Sequence, residues 1–139
     1  MKPFTPADKP ALEKKITLIK RNLDMYKRYE SQLLTLDGVS ETMKETANKL
    51  PYLRKDKARE VYTIVKKYGW LGSDEIGDNL YKILLEAISY GDLDILLSIL
   101  PYAKKGLLLG KISEDEFNQI LDYINSYKSE LENESKTLK

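Results

Sequence analysis

The sequence has no cysteine and no histidine among its 139 residues. Catalysis by a Ser-His-Asp or Cys-His arrangement is therefore excluded, as is a metal site with thiolate or imidazole ligands. No apolar run approaches the roughly 20 residues that a membrane-spanning helix needs. The length is that of one domain with a real hydrophobic core. We therefore expect no cofactor, no bound metal and no membrane span.

The charges nearly balance, at a formal net charge of +1, but they are unevenly distributed. Residues 1–69 hold 16 Lys and Arg against 9 Asp and Glu, whereas residues 70–139 hold 7 against 13. Either basic and acidic helices face each other or occupy opposite solvated faces, or the halves attract charged partners. The densest basic cluster, residues 54–59, is interrupted by Asp56 and lacks a nucleic-acid-binding motif. We expect no nucleic-acid partner.

Helical periodicity dominates the sequence. Apolar residues recur at alternating steps of four and three from Leu12 to Leu33, which predicts one long helix of about six turns. Asp37-Gly38 is expected to end this helix. Three prolines in residues 1–10 predict an extended arm before it.

Shorter helices are predicted at 40–49, 56–68, 77–90, from 92 to near 101, and at 113–131. Their bounds follow from capping and helix-breaking residues: Ser40, Pro51, Gly69, Asp92, Pro101, and the Ser113–Glu116 capping box. The prediction is all-α: a single-domain bundle of five to six helices, with a long N-terminal helix and a buried central helix at 77–90. Residues 11–131 form the helical domain, and 132–139 a frayed tail.

Several short motifs occur in an order that resembles a known family. They are Gly69-Trp70-Leu71, Ile76-Gly77-Asp78, Ser89-Tyr90-Gly91-Asp92 and Leu121-Asp122-Tyr123, with Asp24 and Arg28 on the first helix. The pattern resembles a bacterial family of uncharacterised domains with Gly-Trp-Pro, Val-Gly-Glu, Gln-His-Ala-Asp and Leu-x-Asp-Arg motifs. Tyr90 stands where that family has histidine. The resemblance implies a divergent member that keeps the scaffold and lacks histidine-based chemistry.

These positions supply six candidate binding residues: Asp24, Arg28, Trp70, Asp78, Tyr90 and Asp122. Asp24 and Arg28 are four residues apart, so they either form a surface ion pair or line a polar pocket near Trp70. Trp70 is either a core anchor or an exposed contact residue. Asp78 either favours the start of a helix or belongs to the pocket. Asp122 is expected to be partly buried, which requires a partner such as Arg28.

Three functions are compatible with this sequence. The first, which we favour, is a non-catalytic interaction module whose Trp70 loop and nearby tyrosines contact a protein partner. The second is a carboxylate-based, hydrolase-like enzyme with a polar pocket near Asp24, Arg28 and Asp122. It requires at least two acidic residues to converge in one concavity, out of Asp24, Glu75, Asp78 and Asp122. The third is a homo-oligomer in which the 12–33 stripe packs against a second copy. We expect a cytoplasmic location, with an exported protein as the alternative.

Overall fold

The computed structural model describes residues 3–35 and 41–137, which form helices and no β-strand. A 3-10 turn at Pro6–Asp8 precedes six α-helices: α1 (Lys9–Thr35), α2 (Glu41–Tyr68), α3 (Ser73–Ile76), α4 (Asp78–Ile88), α5 (Leu93–Leu108) and α6 (Glu114–Thr137). The predicted all-α bundle is therefore confirmed. The expected turn at 37–38 and the expected N-cap Ser40 lie outside the described residues. Among the helices of this described part, none is both long and apolar enough to cross a bilayer.

One hydrophobic core runs through the bundle. Helix α1 packs on α2 and α4, α2 also packs on α4 and α5, and α5 packs on α6. The predicted stripe of α1 faces this core, because its five described members are all buried: Leu12, Ile16, Ile19, Leu23 and Tyr26. The stripe is therefore not available to a second copy of the chain. This burial argues against the alternative of a homo-oligomer that packs through the stripe.

Helix α4 is the central buried helix that the sequence predicts. Its buried residues lie on more than one face: Leu80, Tyr81, Leu84, Ala87 and Ile88. Because α4 contacts both α1 and α2, it needs apolar side chains towards each of them. Helix α4 therefore packs on both long helices of the N-terminal half of the chain.

Ion pairs join the basic half of the sequence to the acidic half. Lys27 Nζ lies 2.6 Å from Glu86 Oε1, and Lys20 Nζ lies 3.1 Å from Glu86 Oε2, so two α1 lysines meet one α4 carboxylate. Lys55 Nζ of α2 lies 2.7 Å from Asp92 Oδ2 at the start of α5. Burial alone would raise the pKa of Glu86, but the hydrogen bonds from Lys27 and Lys20 lower it overall. These contacts support the interpretation that oppositely charged helices face each other.

Pro51 lies inside α2 instead of ending a helix. The separate helices predicted at 40–49 and 56–68 are in fact one helix, so this prediction is wrong. An interior proline costs roughly 3 kcal/mol because it removes one hydrogen bond and crowds the preceding turn. Leu50 and Ala58 are both buried in the core, so packing holds both sides of the proline in helical conformation.

Pro101 is likewise inside α5, which continues to Leu108. Ile99 and Ala103 flank it and are fully buried. Pro101 was predicted to kink or end its helix, and the end is wrong for the same reason as at Pro51, because tertiary packing offsets the local cost. At the N-terminus, a 3-10 turn and the start of α1 replace part of the extended arm expected for residues 1–10.

The capping predictions at Asp92, Ser113–Glu116 and Gly69 are confirmed. Asp92 Oδ1 accepts a hydrogen bond from the backbone N–H of Ile95 at 2.9 Å. Ser113 and Glu116 form the expected capping box, with the backbone N–H of each donating to the side chain of the other. Gly69 follows α2 with φ of 79°, the left-handed conformation that a residue after a helix end adopts. Local signals therefore place the starts of α5 and α6 and the end of α2 correctly.

Candidate binding site

The structure separates the six candidate residues. Trp70 is buried, Asp24 and Tyr90 are half-buried, and the other three are exposed: Arg28, Asp78 and Asp122. Asp122 is therefore not the partly buried carboxylate that was expected. Of the six, Asp78 lines an open cleft of about 550 Å³, and the other five do not line it.

Asp24 and Arg28 do not pair with each other. Asp24 Oδ1 lies 3.1 Å from Lys20 Nζ, one turn earlier on α1, and Arg28 has no ion-pair partner within residues 3–35 and 41–137. Tyr90 follows α4, and its ring lies under the guanidinium of Arg54, with Cζ 5.4 Å from the ring centroid. The surface ion pair predicted between Asp24 and Arg28 is therefore wrong, because Asp24 pairs with Lys20 instead.

Trp70 is a core anchor and not an exposed contact residue. Its side chain is only 6% exposed and packs edge-on against Tyr81, with ring centroids 6.4 Å apart. A Cβ atom on Gly106 of α5 would lie 2.8 Å from Trp70 Cγ, so the absence of a side chain at 106 makes room for the indole. The indole N–H of Trp70 is buried without a hydrogen-bond partner in the described part of the chain. The Trp70 loop therefore stabilises the fold and does not offer its tryptophan to a partner.

A cleft of about 550 Å³ lies between α3, the start of α4 and the turn from α5 to α6. We call it the α3–α6 cleft. Its lining comes from two segments of the chain, residues 72–82 and 109–116. The two segments approach closely at Gly72, where a Cβ atom would lie 2.9 Å from the carbonyl oxygen of Lys111. A glycine at 72 therefore allows the backbone of the α5–α6 turn to close one end of the cleft.

Tyr81 and Glu116 form a hydrogen bond at the wall of the cleft. Tyr81 is 6% exposed, and its hydroxyl donates a hydrogen bond to Glu116 Oε1 at 3.0 Å. The same oxygen accepts the backbone N–H of Ser113, so the capping box fixes the carboxylate that receives the tyrosine hydroxyl. Burial and then the hydrogen bond to Glu116 raise the pKa of Tyr81 well above its usual value, against a smaller opposite effect of the Trp70 indole. Tyr81 is therefore a protonated hydrogen-bonding group at neutral pH.

The remaining charges of the cleft divide into paired and unpaired groups. Glu75 Oε1 lies 3.0 Å from Lys111 Nζ and also accepts the backbone N–H of Gly72 at 3.2 Å. Asp74 and Asp78 are exposed and have no ion-pair partner among the residues described. Lys82 is the second cation of the lining. Four carboxylates therefore face two ammonium groups, and the lining carries a net negative charge.

No family model, no curated protein and no solved structure matches this chain. The resemblance to a bacterial family of uncharacterised domains therefore stays a prediction from short motifs.

Sequence reasoning identified two residues of this cleft as acidic candidates, Glu75 and Asp78, and missed most of the others. Tyr81 was assigned to the core, and Glu116 was identified only as a capping residue. No sequence signal brings residues 72–82 next to 109–116, because the contact depends on how α5 and α6 return to α4. The described residues contain no group of three or more side chains placed to ligate a metal ion.

Proposed function

We propose that this protein is a non-catalytic binding module and that the α3–α6 cleft receives a segment of a partner protein. The observation that carries the proposal is the cleft itself, whose volume of about 550 Å³ lies in the range typical of ligand sites. Its lining combines the fixed Tyr81 hydroxyl with apolar surface from Leu109, which is 61% exposed. Such a combination suits a segment that offers both a polar and an aliphatic side chain.

The charge of the cleft selects the kind of segment. Glu75 is neutralised by Lys111, and Glu116 is occupied by Tyr81 and Ser113. Asp74 and Asp78 retain free carboxylates at the cleft. A partner segment that bears Lys or Arg beside a leucine-like residue would meet these carboxylates and Leu109 together.

Binding is better supported than catalysis. Tyr81 keeps its proton at neutral pH because its pKa is raised, so it is unsuited to act as a general base. Glu75 and Glu116 are engaged in the contacts described above. The alternative enzyme with a pocket near Asp24, Arg28 and Asp122 loses support, because Arg28 and Asp122 are exposed and none of the three lines the cleft.

A protein partner is better supported than a nucleic acid. The cations of the basic cluster are each matched by a carboxylate: Arg54 by Glu30, Lys55 by Asp92, Lys57 by Glu60 and Arg59 by Asp56. Cations that already have carboxylate partners are less available to neutralise phosphates. The cytoplasmic location remains a prediction from the sequence.

Two synthetic peptides of equal length test the proposal, one alternating Lys and Leu and the other alternating Glu and Leu. Trp70 is the only tryptophan, and it packs on Tyr81, which lines the cleft. Its single indole N–H resonance therefore reports on occupancy in a nitrogen-15 NMR titration. We expect the Lys-Leu peptide to shift this resonance with saturation and the Glu-Leu peptide to leave it unchanged.

A matched pair of charge reversals controls for nonspecific attraction. The double variant Asp74→Lys with Asp78→Lys should abolish the shift, because it removes both free carboxylates of the cleft. Asp115→Lys changes an exposed acid in the first turn of α6 that does not line the cleft, and it should bind as the unmodified protein does. The proposal fails if neither peptide shifts the resonance, or if the double variant binds as well as Asp115→Lys.

A further inference from the structure

Helix α5 carries apolar side chains on its outer face as well as on its buried face, although exposed polar residues lie between them. Its buried side faces α2 and α6 through Ile95, Leu96, Ile99 and Ala103. On the opposite side Leu97 is 41% exposed, Pro101 is exposed and Leu108 is 87% exposed. These residues are four and seven positions apart, so they project from one side of the helix. We call Leu97, Pro101 and Leu108 the α5 outer face.

The charges on this face have a symmetric arrangement. Asp94 lies three residues before Leu97, and Lys104 lies three residues after Pro101. Both are exposed, and neither forms an ion pair with another residue of the described structure. They lie at equal distances on either side of Ile99, about 7.5 Å along the helix axis at 1.5 Å per residue. A two-fold axis level with Ile99 would therefore place each Asp94 opposite Lys104 of a second copy.

We propose that this protein forms a two-fold symmetric dimer in which the outer faces of two α5 helices pack antiparallel. In that arrangement Leu97 meets Pro101 of the second copy, and Asp94 meets Lys104, each contact occurring twice. Interfaces of this kind are self-complementary, which the sequence of this face satisfies in both its apolar and its charged positions. The proposal rests on α5 and is independent of the α3–α6 cleft as a binding site.

A groove at the start of α5 would receive the exposed Leu108 side chain of the second copy. Leu108 lies nine residues after Ile99, the centre of symmetry. In the dimer it therefore lies next to the N-terminal end of the second α5. At that end a groove of about 300 Å³ is lined by Leu93, Tyr127 and Leu131, with Asp92, Asp94 and Glu130 at its edge. Leu131 is itself 54% exposed. The dimer would cover Leu97, Leu108 and Leu131 together.

The extent of this surface sets the expected affinity. Helix α5 has 16 residues, which corresponds to a contact about 24 Å long. An interface limited to one helix and a groove at each end is small compared with those of obligate dimers. We expect a reversible dimer with a dissociation constant on the order of 10–100 µM.

Sedimentation velocity of the full chain from about 5 to 500 µM measures this equilibrium. The unmodified protein should shift from monomer to dimer across this range. Leu97→Ser and Leu108→Ser should each weaken dimerisation at least tenfold, whereas Leu18→Ser, at an α1 leucine that is 53% exposed, should not change it. Circular dichroism of each variant at low concentration verifies that the monomer is folded.

A charge exchange tests the antiparallel register. Asp94→Lys alone places two lysines opposite each other, and Lys104→Asp alone places two aspartates opposite each other, so each variant should stay monomeric. An equimolar mixture of the two should dimerise again, because both contacts then join opposite charges. The proposal is overturned by a protein that stays monomeric at 500 µM, by a dimer that Leu18→Ser weakens and Leu97→Ser does not, or by a mixture that does not recover.

Discussion

Replacing Gly106 by alanine should destabilise this protein, although alanine is the better helix former. The new Cβ atom would lie 2.8 Å from Cγ of Trp70 and 2.9 Å from its Cβ and Cδ1. Nonbonded carbon atoms are most stable at about 3.5–4.0 Å, so the indole must move by at least about 0.7 Å. Because Trp70 Cβ is bonded to the backbone, this movement requires the loop before α3 to shift as well.

The magnitude follows from two opposing contributions to the free energy of unfolding. Overpacking a core typically costs about 1–3 kcal/mol, and three close contacts near the backbone place this site towards the upper value. Replacing glycine by alanine inside a helix stabilises the fold by up to about 1 kcal/mol through helix propensity. The net loss should be about 1–2 kcal/mol, which lowers Tm by roughly 3–8 °C for a domain of this size.

Urea unfolding followed by Trp70 fluorescence and far-UV circular dichroism measures the effect. The matched control is the pair Ser98→Gly and Ser98→Ala, at an exposed position of the same helix. There alanine should be the more stable residue by about 1 kcal/mol, because only helix propensity changes. The reasoning is refuted if alanine at 106 stabilises the protein as it does at 98.

Three further substitutions test other contacts. Asp92→Ala removes both the N-cap of α5 and the Lys55 contact and should cost about 1–2 kcal/mol, while Asp92→Asn keeps a capping side chain and should cost less. Burial opposes ionisation of Asp92, but hydrogen bonds from Lys55 and Ile95 lower its pKa overall. Its charge therefore stabilises the fold above about pH 4, and the difference between wild type and Asp92→Asn in urea midpoints should disappear as the pH falls towards 2. Tyr81→Phe should cost about 1 kcal/mol in urea unfolding because Glu116 loses the hydroxyl hydrogen bond, and a variant as stable as the wild type would contradict this contact. Glu86→Gln should cost at most about 1 kcal/mol in unfolding assays, with the loss reduced in 1 M salt, and a salt-independent loss would indicate a packing effect instead.

The parts of the fold that depend on neighbouring residues were predictable. Asp92 and the Ser113–Glu116 pair satisfy backbone N–H groups within three positions, so their role is visible in the sequence. The predictions at Pro51 and Pro101 were wrong because the local cost of an interior proline is only one contribution to the free energy of the helix. Core packing of the buried residues on both sides of each proline makes a larger, favourable contribution, and sequence periodicity does not measure it.

The candidate site was less predictable, because it depends on residues distant in sequence. Trp70 was assigned either to the core or to the surface, and its partner Gly106, which decides between them, is on a different helix. The α3–α6 cleft joins residues 72–82 to 109–116, and the sequence contains no pattern that specifies this contact. Asp122 failed as a candidate because it lies on the exposed side of α6, between the core positions occupied by Ile120 and Ile124.

The packing of α1 on α4 has a consequence for synthesis on the ribosome. Lys20 and its partner Glu86 are 66 residues apart, and the α1 stripe near Lys20 is buried partly by α4. At roughly 5–20 residues per second, about 3–13 s separate the synthesis of these two positions. During that interval the growing chain holds an amphipathic helix that only α2 can begin to cover. The apolar side chains from Leu12 to Tyr26 are therefore incompletely covered in the nascent chain until α4 has been synthesised.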